Sequence, residues 1–243
     1  MNYIILLLIL LAVYTAVIFL MKYFTNQRIT DLVFCALVFV PYIWLMSIVY
    51  KDVGPRDWNF TNTLPTANVS PFMFTLTPIT FLLPKGVRKY FLGLISLLSV
   101  GMLFSSILAC VSRASIGYKL HFHFVLDYVS HLSLSLFGIY LVKSGQVQLG
   151  IKNALKSASV IFSAATLMVV LNLIFDTSFF GLSLRGKHNI YNSVLVKSSF
   201  LSAVLYYSGL AAVLALGYAF CKLMTMKRTN KLNTDSVERS SYV

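Results

Sequence analysis

Apolar residues fill most of this chain in long uninterrupted runs, and the polar positions between them come in short clusters. Residues 4–21, IILLLILLAVYTAVIFLM, carry no charge and show no apolar–polar alternation. Seven such runs can be drawn, at 2–21, 30–50, 65–84, 90–112, 121–142, 157–178 and 194–221. Each is close to the ~20 residues that take a helix across ~30 Å of hydrocarbon. In lipid the backbone must satisfy its own hydrogen bonds, which leaves helices or a closed barrel. Barrel strands alternate strictly over about ten residues, and these runs do not. The pattern predicts an all-α polytopic transmembrane bundle of seven spans, occupying residues 1–226, followed by a polar, disordered cytoplasmic tail at 227–243.

Composition agrees, since 58% of the 243 residues are hydrophobic and only 11% are charged. Orientation comes from the basic residues. With the N-terminus outside, the inner segments hold Lys22 and Arg28, then Lys85, Arg88 and Lys89, then Lys143, Lys152 and Lys156, and finally Lys222, Lys227, Arg228, Lys231 and Arg239. That is thirteen of the 20 Lys and Arg residues, so an N-out, C-in topology in the cell membrane is expected. The net charge of +13 then reflects retention beside anionic lipid and calls for no nucleic acid. Membrane lipids are the expected partners. The first run lacks a basic segment before it, which predicts a retained helix in place of a cleaved signal peptide.

The longest outer loop, 51–64, contains Gly54-Pro55 turn chemistry and an Asn59-Phe60-Thr61 glycosylation pattern. A second outer loop is expected at 179–193. Cys35, Cys110 and Cys221 are scattered, with no CxxC pair, and read as small apolar fillers; no cofactor is implied.

Three spans carry polar groups that a membrane disfavours. The third opens as LPTANVSPF, with Thr66, Asn68 and Ser70 near its outer end, and holds Pro71 and Pro78. The sixth ends in LNLIFDTS, which places Asn172 and Asp176 one helical turn apart. The fifth begins HFHFVLDYVSHLSL at residues 121–134. His123, Asp127 and His131 stand at i, i+4 and i+8 and share one stripe, while His121 falls on another face. At 1.5 Å per residue Asp127 lies ~10 Å and His131 ~16 Å below Leu120, the latter near mid-bilayer. A buried charge costs about 2.5–3.5 kcal/mol on insertion scales and normally finds a partner inside the bundle. Arg113, ending the fourth span, is the natural partner for Asp127.

Plainer readings stand beside these. His121 and His123 suit the membrane boundary, Asp127 with Arg113 could be a purely structural ion pair, and Asn172 could simply bond across helices. A metal held by His123, Asp127 and His131 is disfavoured, because ligands at i and i+8 diverge.

Taken in order, LPTANVSPF, FVLDYVSHLSLSLFGIYL and LNLIFDTSFFGLSLRGKHNIYN resemble the YwaF-type integral membrane proteins, over roughly residues 50–220. Those proteins are related to a eukaryotic transmembrane acyltransferase acting on phospholipids. The resemblance implies a polytopic helical bundle, His131 as the candidate general base and Asn172 as the asparagine before the outer loop. Acyltransferase-pattern members carry a His and a Cys after the Leu-Pro of the third span. Here Leu64-Pro65 continues as Thr66, Ala67, Asn68 and Val69, with no cysteine.

Two functions follow as expectations. In one, the chain binds or transports a lipid or small solute at a polar site in the outer leaflet half, lined by Asn68, Arg113, Asp127, Asn172 and Asp176. In the other it is a lipid-directed acyltransferase or hydrolase. There His131 is the base, Thr66 or Ser70 the nucleophile, and Asn68 or Asn172 the oxyanion donor.

Overall fold

The computed structural model describes residues 3–57, 69–117, 119–175 and 199–240, with backbone alone at 49–50, 52–57, 175, 199–200, 202 and 226–240. Each of the seven apolar runs becomes a helix: α1 (Tyr3–Leu20), α2 (Gln27–Asp57), α3 (Val69–Leu82), α4 (Lys85–Ser115), α5 (Phe122–Lys143), α6 (Ile151–Phe175) and α7 (Ser199–Ser240). Among the described residues, six of them are long and apolar enough to cross a membrane. The described residues contain no strand, and their long apolar helices mark a polytopic membrane protein.

α3 is the short member. Its 14 described residues cover ~21 Å at 1.5 Å per residue, and residues 65–68 of the expected span lie outside the described residues. Pro78 lies inside it, and a proline cannot donate the backbone bond to the carbonyl one turn back. Nearby threonine hydroxyls bond to other carbonyls of the same helix: Thr75 Oγ1 to Pro71 O at 3.1 Å, Thr77 Oγ1 to Met73 O at 2.7 Å and Thr80 Oγ1 to Leu76 O at 2.8 Å. Two other boundaries also move. α2 stays helical through Asp57, so the turn expected from Lys51 begins later. The backbone of α7 stays helical to Ser240, across most of the segment read as a tail.

α5 is the central helix. Of its apolar window 83% is buried, against 17% for α1 and 28% for α2 and α6. Small residues allow this. Ser96 and Ser99 of α4 are fully buried and return their hydroxyls to their own helix, at Leu92 O (3.1 Å) and Ser96 O (2.7 Å). With those groups satisfied, α4 can approach α5 closely, as small residues permit in membranes. A Cβ on Gly138 would fall 2.7 Å from Ile95 O and 2.7 Å from Ser99 Cβ. A Cβ on Gly217 of α7 would strike Leu97 O of α4. Aromatic rings fill the other side of α5, with Phe34 against Phe137 at 5.4 Å and Phe81 against Phe137 at 6.0 Å between centroids.

The helices alternate in direction, which sorts the polar groups between two ends. Tyr3 Oη donates to Lys119 O at 3.1 Å at one end. Lys143 Nζ donates to Ile18 O at 3.1 Å at the other. Arg113 and Asp127 belong to the first end; Lys85, Lys89, Lys152 and Lys156 belong to the second.

Gly138→Ala and Gly217→Ala are each expected to lower stability by about 1–3 kcal/mol, the usual scale of overpacking. Gly209→Ala adds a methyl that meets nothing within 4 Å and should leave stability unchanged or slightly raised. Thermal unfolding of the purified protein in detergent separates these outcomes; equal midpoints for all three variants contradict the close packing.

Candidate functional site

Asp127 stands in the second turn of α5 and His131 one turn deeper, so both project from one face. The histidine is only 9% exposed and lies nine positions into a 22-residue helix, near its middle. His131 Nδ1 donates to the backbone carbonyl of Asp127 at 2.9 Å and sits 3.3 Å from the Asp127 Oδ1 atom. A carbonyl can only accept, so Nδ1 carries the proton and Nε2 is the basic nitrogen of the neutral ring. The ring packs edge-to-face with Phe74 of α3, 4.9 Å between centroids. Tyr42 of α2 packs behind Phe74 at 5.5 Å. Aromatic rings thus line one side of His131.

Arg113 approaches from the last turn of α4. Its Nη1 lies 3.9 Å from Asp127 Oδ2, an ion pair at the outer limit of contact, with both side chains about a quarter exposed (28% and 26%). Its stronger bond goes elsewhere: Nη1 donates to the Tyr128 hydroxyl at 2.8 Å. The guanidinium lies 4.0 Å from the Phe124 ring centroid and 5.4 Å from that of Tyr128. Arginine suits this position because its planar cation stacks and donates at once. Asp127 is thus set between a guanidinium and an imidazole, an arrangement that can hold an exchangeable proton or a polar ligand.

The other sequence-derived candidates divide. Ser70 sits one turn before Phe74, yet its hydroxyl points to Met102 Sδ at 3.6 Å; among the described residues no side-chain hydroxyl bonds to His131. Asn172 is buried on α6, a helix that packs against α4 and α7. Thr66, Asn68 and Asp176 lie outside the described residues. Among the described residues no three His, Cys, Asp or Glu side chains converge as a metal site.

Two features escaped the periodicity argument. His121 and His123 stack in parallel, 5.3 Å between centroids and 10° between planes, although ideal helical spacing separates them. His121 precedes the helix in extended backbone, at φ −102° and ψ 151°, so a helical angle does not apply to it. Tyr128 lies off the Asp127 stripe and was missed as the acceptor for Arg113. The i, i+4 spacing of Phe124 and Tyr128 is the signal that locates it, since it makes an aromatic ledge for a cation.

No family model matches the chain, and neither does any curated protein or solved structure.

Arg113→Ala is expected to destabilise the protein by about 1–3 kcal/mol, through the lost stacking and the lost charged hydrogen bond. Arg113→Lys should recover only part, because an ammonium cannot stack and fork together. Tyr128→Phe should remove about 1 kcal/mol. Denaturant unfolding of the three variants measures this series, and wild-type stability in Arg113→Ala contradicts it.

Proposed function

We propose that this polytopic membrane protein binds or transports a lipid or small solute at the Arg113–Asp127–His131 group. The observation that carries the reading is a carboxylate held between a guanidinium at 3.9 Å and an imidazole at 3.3 Å within an apolar helix. Ionisable groups at such depth cost about 2.5–3.5 kcal/mol each on insertion scales, and they typically mark ion and substrate pathways. The gathering of lysines at the opposite end of the bundle supports an N-out, C-in orientation in the cell membrane. The site then lies in the outer leaflet half. Exposure of about a quarter at Arg113 and Asp127 leaves a polar ligand room to approach, while His131 below them is nearly closed off.

A second reading has its own support. With Nδ1 held by Asp127, the imidazole is oriented as a general base is in an acid–histidine dyad. Together with the resemblance of this helix to YwaF-type proteins, that favours lipid-directed acyl transfer or hydrolysis with His131 as base. The binding reading ranks first because it needs no nucleophile, and the Ser70 hydroxyl is directed to Met102.

Mass spectrometry of the molecules that co-purify with the full chain tests the assignment. A lipid or solute retained by the wild type should fall by roughly tenfold in Asp127→Asn and His131→Ala, the scale of a lost charged hydrogen bond. Identical retained species in all three proteins contradict it. The enzymatic reading is separated by incubating the purified protein with phospholipid vesicles: turnover that His131→Ala abolishes supports it, and turnover unaffected by that change rejects it.

A further inference from the structure

The lysine-rich end of the bundle contains a cavity that plays no part in the Asp127 site. It measures about 250 Å³ and lies between the N-terminal turns of α4 and α6 and the turn that joins α5 to α6. Its polar lining comes from Lys89, Tyr90, Gln146, Gln148 and Asn153. The Lys89 ammonium stands 4.9 Å from the centroid of the Tyr90 ring, and the Lys156 ammonium stands 5.6 Å from the same centroid. Two like charges therefore converge on one ring. Among the described residues neither has a carboxylate within ion-pair distance, since the ion pairs there are those of Asp127. Asp31, a carboxylate reached from the same turn, is engaged by Gln146 Nε2 at 3.0 Å.

Other donors add to the two cations. Gln148 and Asn153 present side-chain amides, and both residues are exposed to an incoming ligand. The backbone N–H groups of Gln148 and Leu149 meet no backbone carbonyl among the described residues. Lysine cations, amides and free backbone N–H groups together form the donor set that recognises a phosphate. The cavity is also smaller than the ~300–1,000 Å³ of pockets for drug-sized ligands, which suits a compact anion.

We propose that this cavity is a phosphate-binding site, with Lys89 in its lining and Lys156, beside the lining Tyr90, supplying the charge, and Gln148 and Asn153 the neutral donors. The phosphate belongs either to an anionic lipid headgroup or to a free ion, and the two sources are experimentally separable. The full chain is purified in maltoside without phospholipid, and its thermal midpoint is titrated at constant ionic strength with short-chain phosphatidylglycerol or with inorganic phosphate. At least one probe should stabilise the protein saturably. Response to the lipid alone assigns a headgroup; response to inorganic phosphate assigns the free ion. Lys89→Gln combined with Lys156→Gln should weaken the apparent affinity by roughly tenfold or more. Lys119→Gln, the same charge change at the other end, should leave it unaltered. Asn153→Asp brings a carboxylate to an exposed lining position and should weaken binding as well, which keeps the site testable if the double variant does not fold. No saturable stabilisation by either probe overturns the site. So does unchanged affinity in the lysine or Asn153 variants, or an equal loss in Lys119→Gln.

Discussion

A carboxylate within an apolar helix needs constant partners, because hydrocarbon supplies no water to solvate it. Asp127 meets that constraint from two directions. One partner is local: His131, a turn deeper on the same helix, is brought within 3.3 Å by the helical repeat alone. The other is tertiary: Arg113 arrives from the end of α4, so its placement depends on how closely α4 and α5 pack. That packing depends in turn on Gly138 against Ile95 and Ser99, and on serines that satisfy their own hydroxyls.

The local partner was legible in the sequence, and the tertiary details were not. The i, i+4 spacing of Asp127 and His131 follows from helical geometry once the span is recognised, and recognition needed only an uncharged run of the right length. Arg113 was visible as a nearby cation because the connection between the fourth and fifth spans is short. That Tyr128 takes its best hydrogen bond was hidden, since a long side chain reaching from a neighbouring helix is not confined to one stripe. His121 shows the reverse failure: helical spacing was applied to a residue that is extended. The inner end of α3 shows a similar limit: hydropathy carries the apolar run to residue 84, while the helix stops at Leu82 ahead of Pro84.

The second end of the molecule illustrates a different limit. The lysines there were read as a count that orients the chain, which treats them as interchangeable. Their positions differ: Lys89 and Lys156 converge on Tyr90, and the turn between α5 and α6 supplies the remaining walls of a cavity. Asp31 was passed over among the apolar residues of the second span, and it fixes that turn through Gln146. Convergence of this kind joins segments more than fifty residues apart, and no local pattern carries it.

Whether Asp127 holds His131 in one defined tautomer decides the account of the site. Solid-state NMR of histidine-¹⁵N-labelled protein in bilayers, with His131 assigned by its loss in His131→Gln, reads this directly. A protonated Nδ1 in through-space contact with the Asp127 backbone carbonyl and carboxyl carbons is the expected result. A proton on Nε2 alone, with no correlation to Asp127, contradicts it.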